Sequence, residues 1–170
     1  MKKGFTLIEV IIYIALFSIL MGTAFITAYQ LIDGSGKLSI KNTIQEEGNF
    51  VMRKIDWALT GISNDLTEIL NPPQVSPYTS STLSIKKWID VAGIPTKIPI
   101  IIQYDGTSSI LMQENINPIL PITTVNVKVT FLQFQFIPAS GSGPAGIKAD
   151  FIITKDGVPF PFTITKYIRK

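Results

Sequence analysis

A chain of 170 residues with 46% apolar content suits one domain plus an apolar segment that inflates that share. Cysteine and histidine are both absent, which removes disulfides, thiol chemistry and the commonest general base and zinc ligand, and excludes Ser/His/Asp triads and Cys/His pairs. The formal charge of +3 implies no nucleic-acid surface, while carboxylate-only or Ser/Lys chemistry stays formally open.

The chain opens Lys2-Lys3-Gly4-Phe5-Thr6-Leu7-Ile8-Glu9-Val10, and from Phe5 to Ile32 its only charged side chain is Glu9. As a helix this stretch is about 42 Å long, ample for a bilayer core that needs about 20 residues. A secretory signal peptide has a shorter apolar region, with small residues at its end; here Met21-Gly22-Thr23-Ala24 lies inside the run. An ordinary signal anchor has no use for Glu9, which costs about 2.5–3.5 kcal/mol deep in a membrane and so reads as functional. The opposing reading is a glutamate lying at the interface. Lys2 and Lys3 directly precede the span and place the N-terminus in the cytoplasm, with everything after about residue 33 outside.

Lys3-Gly4-Phe5-Thr6-Leu7-Ile8-Glu9 resembles the prepilin leader of type IV pilins and type II secretion pseudopilins. The resemblance implies cleavage between Gly4 and Phe5 by a prepilin peptidase, N-methylation of Phe5 by the same enzyme, and an assembly role for Glu9. Further partners it implies are other pilin or pseudopilin subunits, an inner-membrane assembly platform and the lipid bilayer; no cofactor and no metal are expected, although some pseudopilins carry a calcium ion in a head loop. Loss of Lys2 and Lys3 lowers the charge to +1. Phe5 and Glu9 stand one helical turn apart on one face, so the new amine can meet Glu9 of its own chain or of a neighbour. An ion pair inside an apolar bundle selects register between subunits, because removing one partner is strongly missed.

Gly22 is a weak point in a water-exposed helix, by about 1 kcal/mol against alanine, yet membrane helices accept glycine for close packing. Asp33-Gly34-Ser35-Gly36 could end the helix, but Ile40, Ile44, Gly48, Val51, Ile55, Ala58 and Ile62 resume a helical period. The expectation is one helix of about 55 residues, weakened or bent at Gly34 and Gly36, with a soluble linker as the alternative. Trp57 is expected between helix and sheet. Pro72, Pro73 and Pro77 stop any continuation.

Period two then takes over. Leu83, Ile85, Ile89 and Val91 share a parity that Lys87 interrupts, which predicts a short or edge strand. Ile98 to Tyr104 and Ser109 to Gln113 flank a turn at Asp105-Gly106-Thr107-Ser108. Thr123 to Ile137 is the strongest strand; its parity switches from Val125, Val127, Val129 and Phe131 to Leu132, Phe134 and Phe136, which predicts a β-bulge near Phe131 and Leu132. Cover on the strand's other face is the alternative. The Gly/Ser/Pro loop from Pro138 to Gly146 precedes a strand over Ile147 to Thr154, a turn at Lys155-Asp156-Gly157-Val158, and a closing strand. Pro159 and Pro161 place the start of that strand at an edge.

The fold class is therefore α+β: a long N-terminal helix, transmembrane in its first half, packed on one antiparallel sheet of about four to six strands. The expected division is a leader at 1–4, a membrane or filament-core helix at 5–32, its amphipathic continuation at 33–70 and a β-rich extracytoplasmic head at 71–170. About 110 residues beyond the apolar helix can bury one modest core. The stretch from Gln45-Glu46 to Trp57, the Tyr104-Asp105-Gly106 hairpin and the aromatic strand through Phe136 resemble J- or W-type minor subunits. Leu111 is followed by Met112 and Gln113, where those subunits usually carry an arginine.

No catalytic constellation emerges. Asp56, Asp65 and Glu68 read as a solvated helix face, and Asp90, Asp105, Asp150 and Asp156 as strand-end and turn residues. No calcium-loop pattern is present, and Gly141-Ser142-Gly143-Pro144 lacks the context of a phosphate loop. Lys166, Arg169 and Lys170 make a tail too short to argue for DNA, although competence pili bind it. The expectation is a structural subunit, not an enzyme, built into a type IV pilus or type II secretion pseudopilus from the bacterial inner membrane. The alternative is a signal-anchored extracytoplasmic binding domain that does not polymerise.

Overall fold

The computed structural model describes residues 6–60, 62, 66–91, 93–140 and 143–168. Helix α1 runs Leu7–Leu59, and the chain divides into two compact units, Met1–Asn42 and Thr43–Lys170.

In the first unit, every described residue from Thr6 to Asp33 is exposed, and the helix is long and apolar enough to cross a membrane. Its hydroxyls are absorbed locally: Ser18 Oγ donates to the Ile14 carbonyl at 2.8 Å and Thr27 Oγ1 to that of Thr23 at 2.9 Å. Such back-bonding lets polar side chains sit in an apolar helix without unpaired groups. The helix continues unbroken through Gly34, Ser35 and Gly36. Lys37 and Asp33 pair across that turn at 2.8 Å, and no proline intervenes.

In the second unit, Ile44, Gly48, Val51, Ile55 and Ala58 form the buried stripe that the period implied. Gly48 is demanded by packing, because a Cβ there would lie 2.0 Å from Phe162 Cζ. The helix ends at Leu59 rather than continuing toward 70; Leu66–Glu68 is a 3-10 turn and Ile69–Asn71 is strand β1. None of the last-turn residues of α1 is basic, and a cation arrives from elsewhere. Lys87 donates to the Trp57 carbonyl and stands 3.9 Å from the Trp57 ring centroid, placing positive charge at the negative end of the helix. Burial pulls its pKa below the usual lysine value, against the opposing pull of Glu114 and Asp56.

The strands are β2 (Thr79–Ser80), β3 (Thr82–Val91), β4 (Ile94–Tyr104), β5 (Ile110–Glu114), β6 (Leu120–Pro121), β7 (Lys128–Ile137), β8 (Gly146–Lys155) and β9 (Val158–Tyr167). They form two sheets rather than one, in the orders β1-β3-β4-β5-β6 and β2-β7-β8-β9. The chain changes sheet three times, first between β1 and β2. Ser81 separates β2 from β3, and the segment after Pro121 leaves the first sheet before β7 begins. The Val129 N–H donates to the Ser108 carbonyl at 2.7 Å, and the Tyr104 hydroxyl to the Val129 carbonyl at 3.2 Å, joining the sheets.

Strand β3 is long rather than short. Beyond Ile85, where β1 stops, β4 is its sole paired neighbour among the described residues, so the edge expectation holds for that half. Lys87 keeps the inward parity because its ammonium has a partner in α1. Strand β7 begins at Lys128, not Thr123. Thr124 spends its N–H and hydroxyl on the Glu47 carboxylate, at 3.2 and 2.7 Å, and Val125 is 100% exposed. The bulge falls between Val129 and Phe131, one position earlier than expected; it buries Val129 and Leu132 together and turns Phe131 outward.

Both expected turns form, and β9 is an edge strand, as its prolines implied. Asp156 and Gly157 have φ of 50° and 79°, the signature of a two-residue hairpin turn that suits glycine. Asp105 Oδ1 accepts the N–H groups of Thr107, Ser108 and Ser109 at 2.7, 2.8 and 3.0 Å. These bonds, that of Ser109 foremost, pull its pKa from 3.8 down to about 2. Because the folded value is depressed, the stabilisation is complete above about pH 4 and is lost as pH falls through about 2. Urea titrations of wild type and Asp105→Asn from pH 5 to 2 are expected to differ at the upper end and converge at the lower. Parallel curves throughout would refute the linkage.

Candidate functional site

Residue Thr6 immediately precedes α1 and acts as its N-cap. The Glu9 Oε2 atom accepts the Thr6 N–H and the Thr6 hydroxyl, each at 3.0 Å, and the Glu9 N–H reaches the Thr6 Oγ1 at 3.4 Å. This reciprocal arrangement is a capping box, which satisfies helix donors that have no partner in the first turn. Thr6 was not singled out in the sequence, although Thr-x-x-Glu before an apolar run is its signature. Glu9 thus has a local task, and its carboxylate lies on the exposed surface of the isolated chain. Gly4 and Phe5, the expected cleavage and methylation residues, lie outside the described residues.

The carboxylates of the second unit do not converge. Asp56 pairs with Lys166 at 2.6 Å, and Glu68 is buried and pairs with Lys97 at 2.8 Å; Asp65 lies outside the described residues. Asp150 accepts from Thr163 at 2.6 Å and pairs with Lys148 at 2.8 Å, which together hold its pKa below the usual range against burial. Among the described residues no group of three or more potential metal-ligating side chains comes together.

One groove of about 510 Å³ separates the helix residues Phe50, Lys54 and Trp57 from Met112, Glu114 and Leu120. Trp57 is 38% exposed there rather than enclosed between helix and sheet, because the Lys87 ammonium takes the inner position against its ring.

Residues 1–25 match the family model of the prokaryotic N-terminal methylation motif. The match supports the type IV pilin family and a substrate of prepilin type. It covers Gly4, Phe5, Thr6 and Glu9, and it overlaps the first turns of the apolar helix. Motif and helix together support a membrane-anchored pilin, a structural subunit handled by a prepilin peptidase and assembled with other pilins. The long helix and antiparallel strands give the α+β, pilin-like layout. No curated protein and no solved structure matches the chain.

Proposed function

We propose that the chain is cleaved after Gly4, methylated on Phe5, stored in the bacterial inner membrane with its N-terminus in the cytoplasm, and built by an assembly platform into a type IV pilus or type II secretion pseudopilus. Its place there is that of a minor subunit of J or W type, the class its helix, hairpin and aromatic strand resemble. The observation that carries this reading is the methylation motif opening directly onto an apolar helix in which Glu9 is the sole charge before Asp33. Once Met1 to Gly4 are gone, a cationic amine stands one turn from Glu9. In a bundle of such helices that amine pairs with the Glu9 of a neighbour, and the pair sets the register.

The test is the mass of the N-terminal peptide from membrane-extracted protein, made in a host that carries a prepilin peptidase. A chain beginning at methylated Phe5 is the expected result. An intact Met1 to Gly4 leader would overturn the reading and leave the non-polymerising, signal-anchored binding domain in its place.

A further inference from the structure

A sheet leaves the backbone groups of its outermost strands unpaired, and most of the outermost strands here are very short. Strands β1, β2 and β6 have three, two and two residues, and Pro72, Pro77 and Pro121 stand in or beside them. Strand β9, at the edge of the second sheet, has ten residues and pairs with β8 along its whole length without a register shift.

The hairpin fixes which backbone groups of β9 face outward. Asp156 and Gly157 make a two-residue turn, so Lys155 and Val158 close it with mutual hydrogen bonds, and every second pair beyond them repeats the pattern. Val158, Phe160, Phe162, Ile164 and Lys166 therefore spend their N–H and C=O groups on β8. Ile168 continues the series by donating to the Ala145 carbonyl at 2.8 Å. The intervening Pro159, Pro161, Thr163, Thr165 and Tyr167 turn theirs away from the sheet.

Prolines 159 and 161 have no N–H to offer, which closes that half of the edge to a further strand. The other half is open. Thr163, Thr165 and Tyr167 are exposed, and their N–H groups have no acceptor among the described residues. The sequence Thr163-Ile164-Thr165-Lys166-Tyr167 is rich in the β-branched and aromatic residues that suit a strand.

Side chains specify what can lie there. Thr163 and Thr165 share the polar face with Asp150, which accepts the Thr163 hydroxyl at 2.6 Å. Ile164 and Lys166 are half-buried on the other face, where Lys166 pairs with Asp56 of α1. An added strand thus needs polar residues beside Thr163 and Thr165 and an apolar one beside Ile164. A second β9 fits poorly, because antiparallel pairing about Thr165 sets Lys166, already committed to Asp56, against Ile164 twice.

We propose that residues 163–167 receive an extended segment of a different subunit when the chain is assembled, bonded through the outward N–H and C=O groups of Thr163, Thr165 and Tyr167. The inference rests on the polymerising reading above. An edge that takes an unlike strand agrees with a minor place in the filament.

Amide hydrogen exchange, resolved residue by residue by mass spectrometry, reads the edge directly. In the full-length chain extracted from membranes, Thr163, Thr165 and Tyr167 are expected to exchange fast and Ile164 and Lys166 slowly. In sheared filaments all five should be slow, the first three by about a hundredfold against the extracted chain. Thr165→Pro removes one outward N–H at a parity where the strand already holds two prolines. Its urea midpoint should match wild type, while its incorporation into filaments falls by about tenfold. Thr165→Val keeps the N–H and should assemble normally. Fast exchange at the three amides in filaments, or normal incorporation of a folded proline variant, would overturn the proposal. Should the proline variant unfold, the wild-type exchange pattern decides alone. Slow exchange already in the extracted chain would overturn it too, and a dimer mass there would give the edge to a second copy. The N-terminal mass of the same sample keeps the two readings apart. A cleaved chain with open amides removes the added strand alone, whereas an uncleaved chain overturns the pilin reading with it.

Discussion

Glu9→Gln is expected to leave the start of α1 intact and still remove the chain from filaments. Glutamine serves a capping box as well as glutamate does, so the Thr6 N–H and hydroxyl keep their acceptor. The negative charge is what disappears. In the apolar interior of a helix bundle, the amine of a processed neighbour then has no counter-ion, and removing one partner of a buried pair costs about 3–5 kcal/mol. At about 1.4 kcal/mol per tenfold, incorporation should fall by about a hundredfold or more. The readout is the chain's abundance in sheared filaments relative to membranes, by immunoblot. Glu9→Leu, which also removes the acceptor, should be no better. Normal incorporation of the glutamine variant would reduce Glu9 to a capping residue.

Gly48→Ala should destabilise the second unit even though alanine is the better helix former. The new Cβ would lie 2.0 to 2.5 Å from three ring carbons of Phe162. That ring is held by Phe151, stacked with centroids 5.1 Å apart and planes 12° from parallel, and by Phe160 at 5.2 Å. Overpacking of this kind costs about 1–3 kcal/mol, against about 1 kcal/mol gained in helix propensity. The net expectation is a loss of up to about 2 kcal/mol for alanine and failure to fold for leucine. Urea unfolding of the full-length chain in detergent, followed by the fluorescence of Trp57 and Trp88, measures it. Phe162→Leu in the same chain should recover part of the loss by freeing the space. A Gly48→Ala chain as stable as wild type would show that the ring moves aside at little cost.

The amino-acid order by itself determined what local chemistry determines. A run with one charge between Phe5 and Ile32 demands an apolar environment, and the spacing of Ile44, Gly48, Val51, Ile55 and Ala58 demands one buried helix face. The turns at Asp105 and at Asp156-Gly157 follow from residues that hydrogen-bond their own backbone or accept positive φ. The Thr6–Glu9 box, which the sequence reading missed, carries a local signal of the same kind, because its partners are three residues apart. Continuity of the helix through Gly34-Ser35-Gly36 was legible in the period that resumes at Ile40, and an i,i+4 ion pair between Asp33 and Lys37 supports that stretch.

Only the tertiary structure decided the pairings between distant residues. Lys87 marked a short or edge strand because a lysine on an inward parity has no partner in sequence; the Trp57 carbonyl that receives it is thirty positions away. Val125 looked like strand until Glu47 of the helix took the bonds of its neighbour Thr124. Alternation marks each strand but carries no record of its neighbour, so the split into two sheets, with crossings before Thr79, at Ser81 and after Pro121, was decided by long-range hydrogen bonds such as that from Val129 to Ser108.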